Sequence, residues 1–206
     1  MTPGRTRTQP RGSLSRDLII QKALALLEEQ GAGALSMRRL ADHLGVAPNA
    51  LYTHVRSKAD LIECLIDEVY AGLELDPDPA KDWTEQLAAI SQDVRAHLLA
   101  RPAVVPYALQ QPGLGPHALR LGEAIYGVLR PVGFSDQAVV GIVYALLTYI
   151  LGFVALEIPR APSPRRVPPH RRTRPLLARI STDDQFQLGI HTFIAGLKTQ
   201  QRNDVR

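Results

Sequence analysis

The stretch Leu35–Lys58, LSMRRLADHLGVAPNALYTHVRSK, constrains the fold of this chain more than any other. It predicts two short helices joined by a tight turn. Ser36 is a good N-cap for the first helix, whose apolar residues recur at i, i+3, i+4 and i+7 and therefore share one face. Gly45 ends that helix because glycine readily takes the left-handed conformation that helix C-termini use. Pro48 begins the second helix at its first position, where a missing N–H costs nothing.

The second helix has little apolar surface and many side chains that form hydrogen bonds. Leu51 and Val55 are its expected core contacts. Because an α-helix fits the DNA major groove and reads base edges with donors and acceptors, the polar side predicts a DNA-reading surface. The expected roles are adenine recognition for Asn49, a thymine methyl or phosphate contact for Thr53, backbone contacts for Tyr52, His54 and Lys58, and a phosphate or guanine contact for Arg38. The alternative is an ordinary helical corner whose polar face is solvated.

The remaining sequence shows no persistent strand alternation and no repeat period, which predicts an all-α protein. We expect an N-terminal three-helix DNA-binding domain over residues 13–73 and a C-terminal helical bundle over 80–201. The longer predicted helices run from about 15 to 30, 82 to 98, 119 to 129, 135 to 156 and 183 to 200. Residues 1–13 form a basic arm, a candidate for minor-groove contact. The Arg/Pro-rich run at 159–175 reads as a linker by default, with a second nucleic-acid contact or a lid as alternatives.

Composition limits the function classes. The net charge of +4 and a pI near 9.5 favour a polyanionic partner. The single cysteine, Cys64, excludes an intramolecular disulfide, and a polar N-terminus without an apolar segment predicts no signal peptide; both indicate a cytoplasmic protein. The six histidines lack HExxH spacing, and no phosphate-binding glycine loop or GxSxG is found, so we expect no enzyme, no metal site and no cofactor.

The run ALSMRRLADHLGVAPNALYTHVRSKADLIECL resembles the DNA-binding domain of the TetR family of bacterial repressors. The glycine turn, the Leu-Tyr-x-His-Val centre and the following Ser-Lys-x-x-Leu carry the resemblance. It implies a ligand-responsive repressor that acts as a homodimer on a palindromic operator. Family residues that approach DNA match Arg38, Pro48, Asn49, Ala50, Tyr52, His54 and Lys58. Ala47 departs from the pattern, because it stands where a capping Ser or Thr is common.

The second half resembles the tetracycline-repressor branch in the order of its elements. That resemblance implies that the helices 135–156 and 183–200 pair with their dimer mates in a four-helix bundle, and that each subunit holds an inducer cavity. The magnesium–tetracycline contacts do not carry over, since the corresponding positions hold Tyr107, Ile90, Val94 and Leu156. We therefore expect a small hydrophobic or aromatic inducer. The candidate lining residues, each equally explained as core, are Ile90, Val94, Tyr107, Leu121, Tyr144 and Tyr149.

Two alternatives stay open. Ala138–Leu156 contains 19 residues without a charge, long enough to span a membrane, and the arginine-rich run after it would suit the cytoplasmic side. A helix buried between its own domain and a dimer mate has the same composition, and we favour that explanation over a membrane anchor. The second alternative is a helical ligand-binding protein with no role on DNA.

Overall fold

The computed structural model describes residues 14–76, 78, 80–111, 113–158 and 181–204, and all regular structure in these ranges is helical. The all-α prediction is therefore confirmed there. The helices are α1 (Arg16–Gln30), α2 (Met37–Leu44), α3 (Pro48–Leu51), α4 (Lys58–Tyr70), α5 (Trp83–Ala100), α6 (Val105–Ala108), α7 (Pro116–Leu129), α8 (Asp136–Glu157) and α9 (Thr182–Asp204). The predicted N-terminal arm and the Arg/Pro-rich run at 159–175 lie outside the described residues.

The chain divides into two compact units at Ile62/Glu63, within α4. In the first unit, α1 begins at Ser15, whose Oγ accepts a hydrogen bond from the Leu18 N–H at 3.2 Å. Ser36 caps α2 in the same way through the Arg39 N–H, as expected. Side chains of α1 and α2 fill the core between these helices: Ile19, Ala23, Leu26, Leu27, Leu40 and Ala41 are all nearly inaccessible to solvent.

The structure corrects one local prediction. The second helix of the Leu35–Lys58 stretch is only one turn long, Pro48–Leu51, and Val55 is buried after a following turn rather than within the helix. At the start of α4, the Ser57 hydroxyl accepts from the Asp60 N–H at 3.1 Å, and the Asp60 carboxylate accepts from the Arg56 N–H at 2.7 Å.

The second unit is a helical bundle in which α5 packs against α7, α8 and α9. Its core contains Leu87 and Leu98 of α5 and Leu146 and Ile150 of α8, none of them exposed. The chain's single tryptophan, Trp83, begins α5 and packs edge-on against Phe134, with ring centroids 5.9 Å apart.

Helix α8 is long and apolar enough to cross a membrane, with a mean hydropathy of 2.4 over its best 18-residue window. Core helices of soluble proteins meet the same criteria. Only 28% of that window is buried, so much of the helix surface faces outward. The exposed side includes Val140, Tyr144 and Leu156.

Candidate nucleic-acid interface and ligand cavity

The turn between α2 and α3 is fixed by backbone geometry. Gly45 has φ 66° and ψ 32°, the left-handed conformation that costs an L-residue energy. Its N–H donates to the Asp42 carbonyl at 3.2 Å, and the Val46 N–H donates to the Ala41 carbonyl at 3.0 Å. These bonds close the end of α2 and direct the chain into α3.

Leu51 of α3 and Val55, which follows the next turn, anchor this segment in the core and are 0% and 1% exposed. The sequence-predicted DNA contacts lie on the remaining surface. Arg38, Pro48, Asn49, Tyr52, Thr53 and Lys58 are exposed, and Ala50 and His54 are half-buried. The exposed polar side chains are therefore free of core packing.

Two details limit the stability of α3 and the groups that its surroundings offer to DNA. Ala47 provides no side-chain cap, as the sequence predicts. The Thr53 hydroxyl donates to the Ala50 carbonyl at 2.7 Å, so its proton is used within the chain. Its methyl group and oxygen lone pairs are what it offers to DNA.

Asp60 fixes the segment that leads from α3 into α4. Besides the Arg56 N–H, its carboxylate contacts the Arg56 guanidinium at 3.3 Å and the Arg16 guanidinium at 3.5 Å. The hydrogen bond from the Arg56 backbone, together with these two guanidinium groups, holds the pKa of Asp60 below its usual value despite burial. The buried carboxylate is thus ionised and paired at neutral pH.

A cavity of about 630 Å³ lies in the second unit. Its walls come from the end of α4, the segment after α6, and helices α7 and α8. The lining is Tyr70, Ala108, Leu109, Gln110, Gln111, Gly113, Leu114, Ala118, Leu119, Leu121, Gly122, Glu123, Tyr126, Val139, Val140, Val143, Tyr144, Leu147, Thr148 and Leu151. Most of this surface is apolar, as small-molecule sites usually are.

Of the six predicted ligand contacts, Leu121 and Tyr144 line this cavity and four do not. Val94 lies in the bundle core, and Tyr149 stacks on Phe186 with ring centroids 5.9 Å apart. Ile90 and Tyr107 are also outside the lining. The sequence prediction did not include Tyr70 or residues 109–111 and 113–114, which also line the cavity.

A hydrogen bond between the first turn of α7 and a side chain of α4 attaches the cavity wall to α4. The Asp67 carboxylate, on α4, accepts a hydrogen bond from the Ala118 N–H in the first turn of α7 at 2.9 Å. Gly115 precedes that turn, and a Cβ at this position would lie 2.5 Å from Asp67 Oδ1. Since Gly115 has φ −73°, its lack of a side chain serves the close approach of Asp67 and not an unusual backbone conformation.

An ion-pair cluster joins α5, α8 and α9. The Arg95 guanidinium, largely buried, contacts Glu157 at 2.5 Å and Asp183 at 2.7 Å, and lies 4.8 Å from the centroid of the Phe186 ring. The hydrogen bonds that the Arg95 guanidinium donates to Glu157 raise the pKa of Arg95 above its ordinary value. The tetracycline-repressor pattern implies an acidic ligand at the position that Leu156 holds here. Glu157 is the next residue, but its carboxylate is bound by Arg95.

Within the described ranges, no group of three or more His, Cys, Asp or Glu side chains is arranged to hold a metal ion.

Comparison with known proteins identifies the family. Residues 19–65 match the model for bacterial regulatory proteins of the tetR family, and residues 76–201 match the model for the tetracyclin repressor-like C-terminal domain. The second match alone covers more than half of the chain. The chain belongs to the TetR family of transcriptional regulators.

Individual relatives agree with this assignment. An HTH-type transcriptional regulator of Saccharopolyspora erythraea is 33% identical over 152 residues, which cover 74% of this chain and 64% of the relative. The HTH-type transcriptional repressor DrrR1 of Streptomyces coeruleorubidus is 27% identical, over 76% of this chain and 58% of its own length. The chain thus spans about three fifths of the length of these curated relatives.

A solved structure resembles the whole fold. ActR of Streptomyces coelicolor, in complex with (S)-DNPA, superposes with a TM-score of 0.81 and 26% identity, covering 92% of this chain and 99% of that one.

Proposed function

We propose that this protein is a ligand-responsive transcriptional repressor that binds a palindromic operator as a homodimer. The observation that carries the proposal is the surface of residues 49–58, where Leu51 and Val55 are buried while Asn49, Tyr52 and Lys58 are exposed. Residues 35–58 contain four lysines and arginines and a single carboxylate, which favours a phosphate backbone as partner. Its relative DrrR1 is a repressor by name, and ActR binds a small molecule.

Selection from a random duplex library at about 150 mM salt tests DNA recognition. We expect an inverted repeat, because a two-fold dimer presents two identical reading heads about one helical turn apart. Tyr52→Ala and Lys58→Ala should weaken binding to all duplexes, whereas Asn49→Ala should relax preference at one base pair, by about 1–3 kcal/mol. Lys22→Ala, at an exposed lysine of α1 outside the predicted contacts, is the matched control. Equal weakening at every base by Asn49→Ala would contradict its assignment.

The proposed inducer site is the cavity beside α4, α7 and α8. Its apolar and phenolic lining favours a small hydrophobic or aromatic molecule. Leu121 and Tyr144 remain candidate contacts from the sequence, and Tyr70 joins them. Helix α4 carries Asp60 at one end and Tyr70 at the other, so a displacement of its C-terminal end on ligand binding is our proposed route to the DNA-reading residues.

The exposed apolar faces of α8 and α9 support the proposed homodimer. Leu156 of α8 is 75% exposed, and Leu188 of α9 is 68% exposed. In a single chain these apolar helix faces are exposed to water, which is unfavourable. Pairing with a second copy would bury them. Light scattering should report twice the monomer mass, and Leu188→Glu should shift the protein towards monomer. Ala89→Glu, on an exposed position of α5, adds the same charge and should leave the dimer intact.

Burial of α8 against a second copy would account for its apolar surface without a membrane. We therefore propose a cytoplasmic location. Recovery of the full chain in the soluble fraction without detergent is the expected result. Recovery only with detergent would favour the membrane-anchored alternative, in which Ala138–Leu156 is the span.

A further inference from the structure

Among the described residues, the charge that lines the ligand cavity is of one sign. Among the described residues that line it, Glu123 is the one acidic side chain, and no lysine, arginine or histidine is present. Burial, with a smaller effect of the nearby Asp67 carboxylate, raises the pKa of Tyr70 to about 12, so this phenol stays protonated and neutral. Among the described lining residues, the one acidic side chain is therefore not accompanied by a basic one.

The Glu123 carboxylate has no recorded ion pair in the part of the chain that the structure describes. Arg120 lies one turn earlier on α7, but its guanidinium lies 3.4 Å from His117 Nδ1. Arg130, near the end of the same helix, contacts Asp136 at 2.7 Å. Neither arginine lines the cavity, so neither neutralises Glu123 from within it.

Aromatic rings stand on the same walls. The Tyr126 hydroxyl donates to Asp136 at 2.9 Å, which leaves its ring as the group available to the cavity. Tyr144 contributes a second ring from α8. The faces of such rings attract cations. An anion in this cavity would meet no lysine, arginine or histidine among the described lining residues and would be repelled by Glu123.

Given the proposed inducer role of this cavity, we propose that its ligand is a small aromatic or alicyclic cation, such as a protonated amine. The apolar body fills the space between α7 and α8, and the positive charge lies beside the Glu123 carboxylate. Glu123 is thus a specificity-determining residue that selects amines over carboxylates of the same shape.

The test uses three fluorescent probes that share one ring system: 9-(aminomethyl)anthracene, 9-(hydroxymethyl)anthracene and anthracene-9-carboxylate. Their affinities are measured by fluorescence titration of the full chain. The cationic probe should bind about fivefold more tightly than the neutral one, as expected for a partly exposed ion pair, and the preference should shrink at high salt. Glu123→Gln should abolish the preference, and Glu123→Lys should transfer it to the carboxylate. Glu85→Gln, at an exposed carboxylate of α5 outside the lining, should behave as wild type.

Two results would overturn the inference: tightest binding of the carboxylate by the wild-type chain, or an amine preference that Glu123→Gln leaves unchanged. Failure of all three probes to bind would also overturn it. Operator binding, measured on the same preparations without probe, separates these outcomes from failure of the proposed repressor function. A chain that binds its operator but prefers the carboxylate is a repressor with a different ligand class.

Discussion

Replacing Gly115 by alanine should break the contact between the cavity wall and α4. The new Cβ would lie 2.5 Å from Asp67 Oδ1, so the carboxylate must move and abandon the Ala118 N–H. Asp67 is itself buried, with 8% of its surface exposed. The substitution therefore acts through a charged hydrogen bond and not through backbone strain.

The magnitude follows from that bond. Losing a hydrogen bond to a charged group costs about 1.5–3 kcal/mol. Against this, alanine restricts the unfolded chain and contributes about 0.4–1 kcal/mol in favour of folding at a compatible backbone conformation. We expect Gly115→Ala to lower the free energy of unfolding by about 1–2 kcal/mol.

A double-mutant cycle makes the reasoning testable. Asp67→Ala alone loses the same bond, but it also removes the group that the new methyl would strike. The double variant should be no less stable than Asp67→Ala, and the coupling energy should be about 1.5–3 kcal/mol. Urea unfolding followed by the fluorescence of Trp83, which lies in the same unit, provides the measurement.

Gly122→Ala is the control, because a Cβ at that helical position meets nothing within 4 Å. It should be neutral or slightly stabilising. Additive costs for Gly115→Ala and Asp67→Ala would refute the proposed contact.

Three further predictions concern other contacts. Leu51→Ala, at a fully buried position, should cost about 2–5 kcal/mol and abolish DNA binding along with folding of the N-terminal unit, seen by circular dichroism. Glu157→Gln should destabilise the second unit, because Arg95 is left with one carboxylate fewer. If urea unfolding is insensitive to this change, the Arg95–Glu157 pair does not stabilise the unit. The folded-state pKa of Asp60 is depressed, so its contribution to stability is present above the unfolded pKa of about 4 and is lost as pH falls through the folded value. Asp60→Asn should flatten that part of the curve of unfolding free energy against pH.

The N-terminal unit was predictable because its signals are local. Ser36, Gly45 and Pro48 each act on the backbone within a few residues, and the structure confirms all three. The length of α3 was not predictable in this way, since burial of Val55 is compatible with either a helix or a turn.

The second unit was less predictable, because its important contacts are distant in sequence. Arg95 and Glu157 are 62 positions apart, and Asp67 and Ala118 are 51 apart. Neither pair leaves a periodic signal. The predicted ligand contacts on α5 rested on the resemblance to the tetracycline-repressor branch, whereas the cavity wall comes from α4, α7, α8 and the segment after α6. Adjacent residues of a helix point in different directions. A shift of one residue along the helix therefore replaces a residue that lines the cavity with one that lies in the core.

The most direct test of the account compares the selected inverted repeat with a duplex in which about five base pairs are inserted between its half-sites. That insertion turns one half-site to the opposite face of the DNA, since a helical turn is about 10–10.5 base pairs. A dimer with two fixed reading heads should then bind no better than it binds a single half-site, in anisotropy titrations at physiological salt. Equal affinity for the two duplexes would contradict the paired reading of DNA by α3.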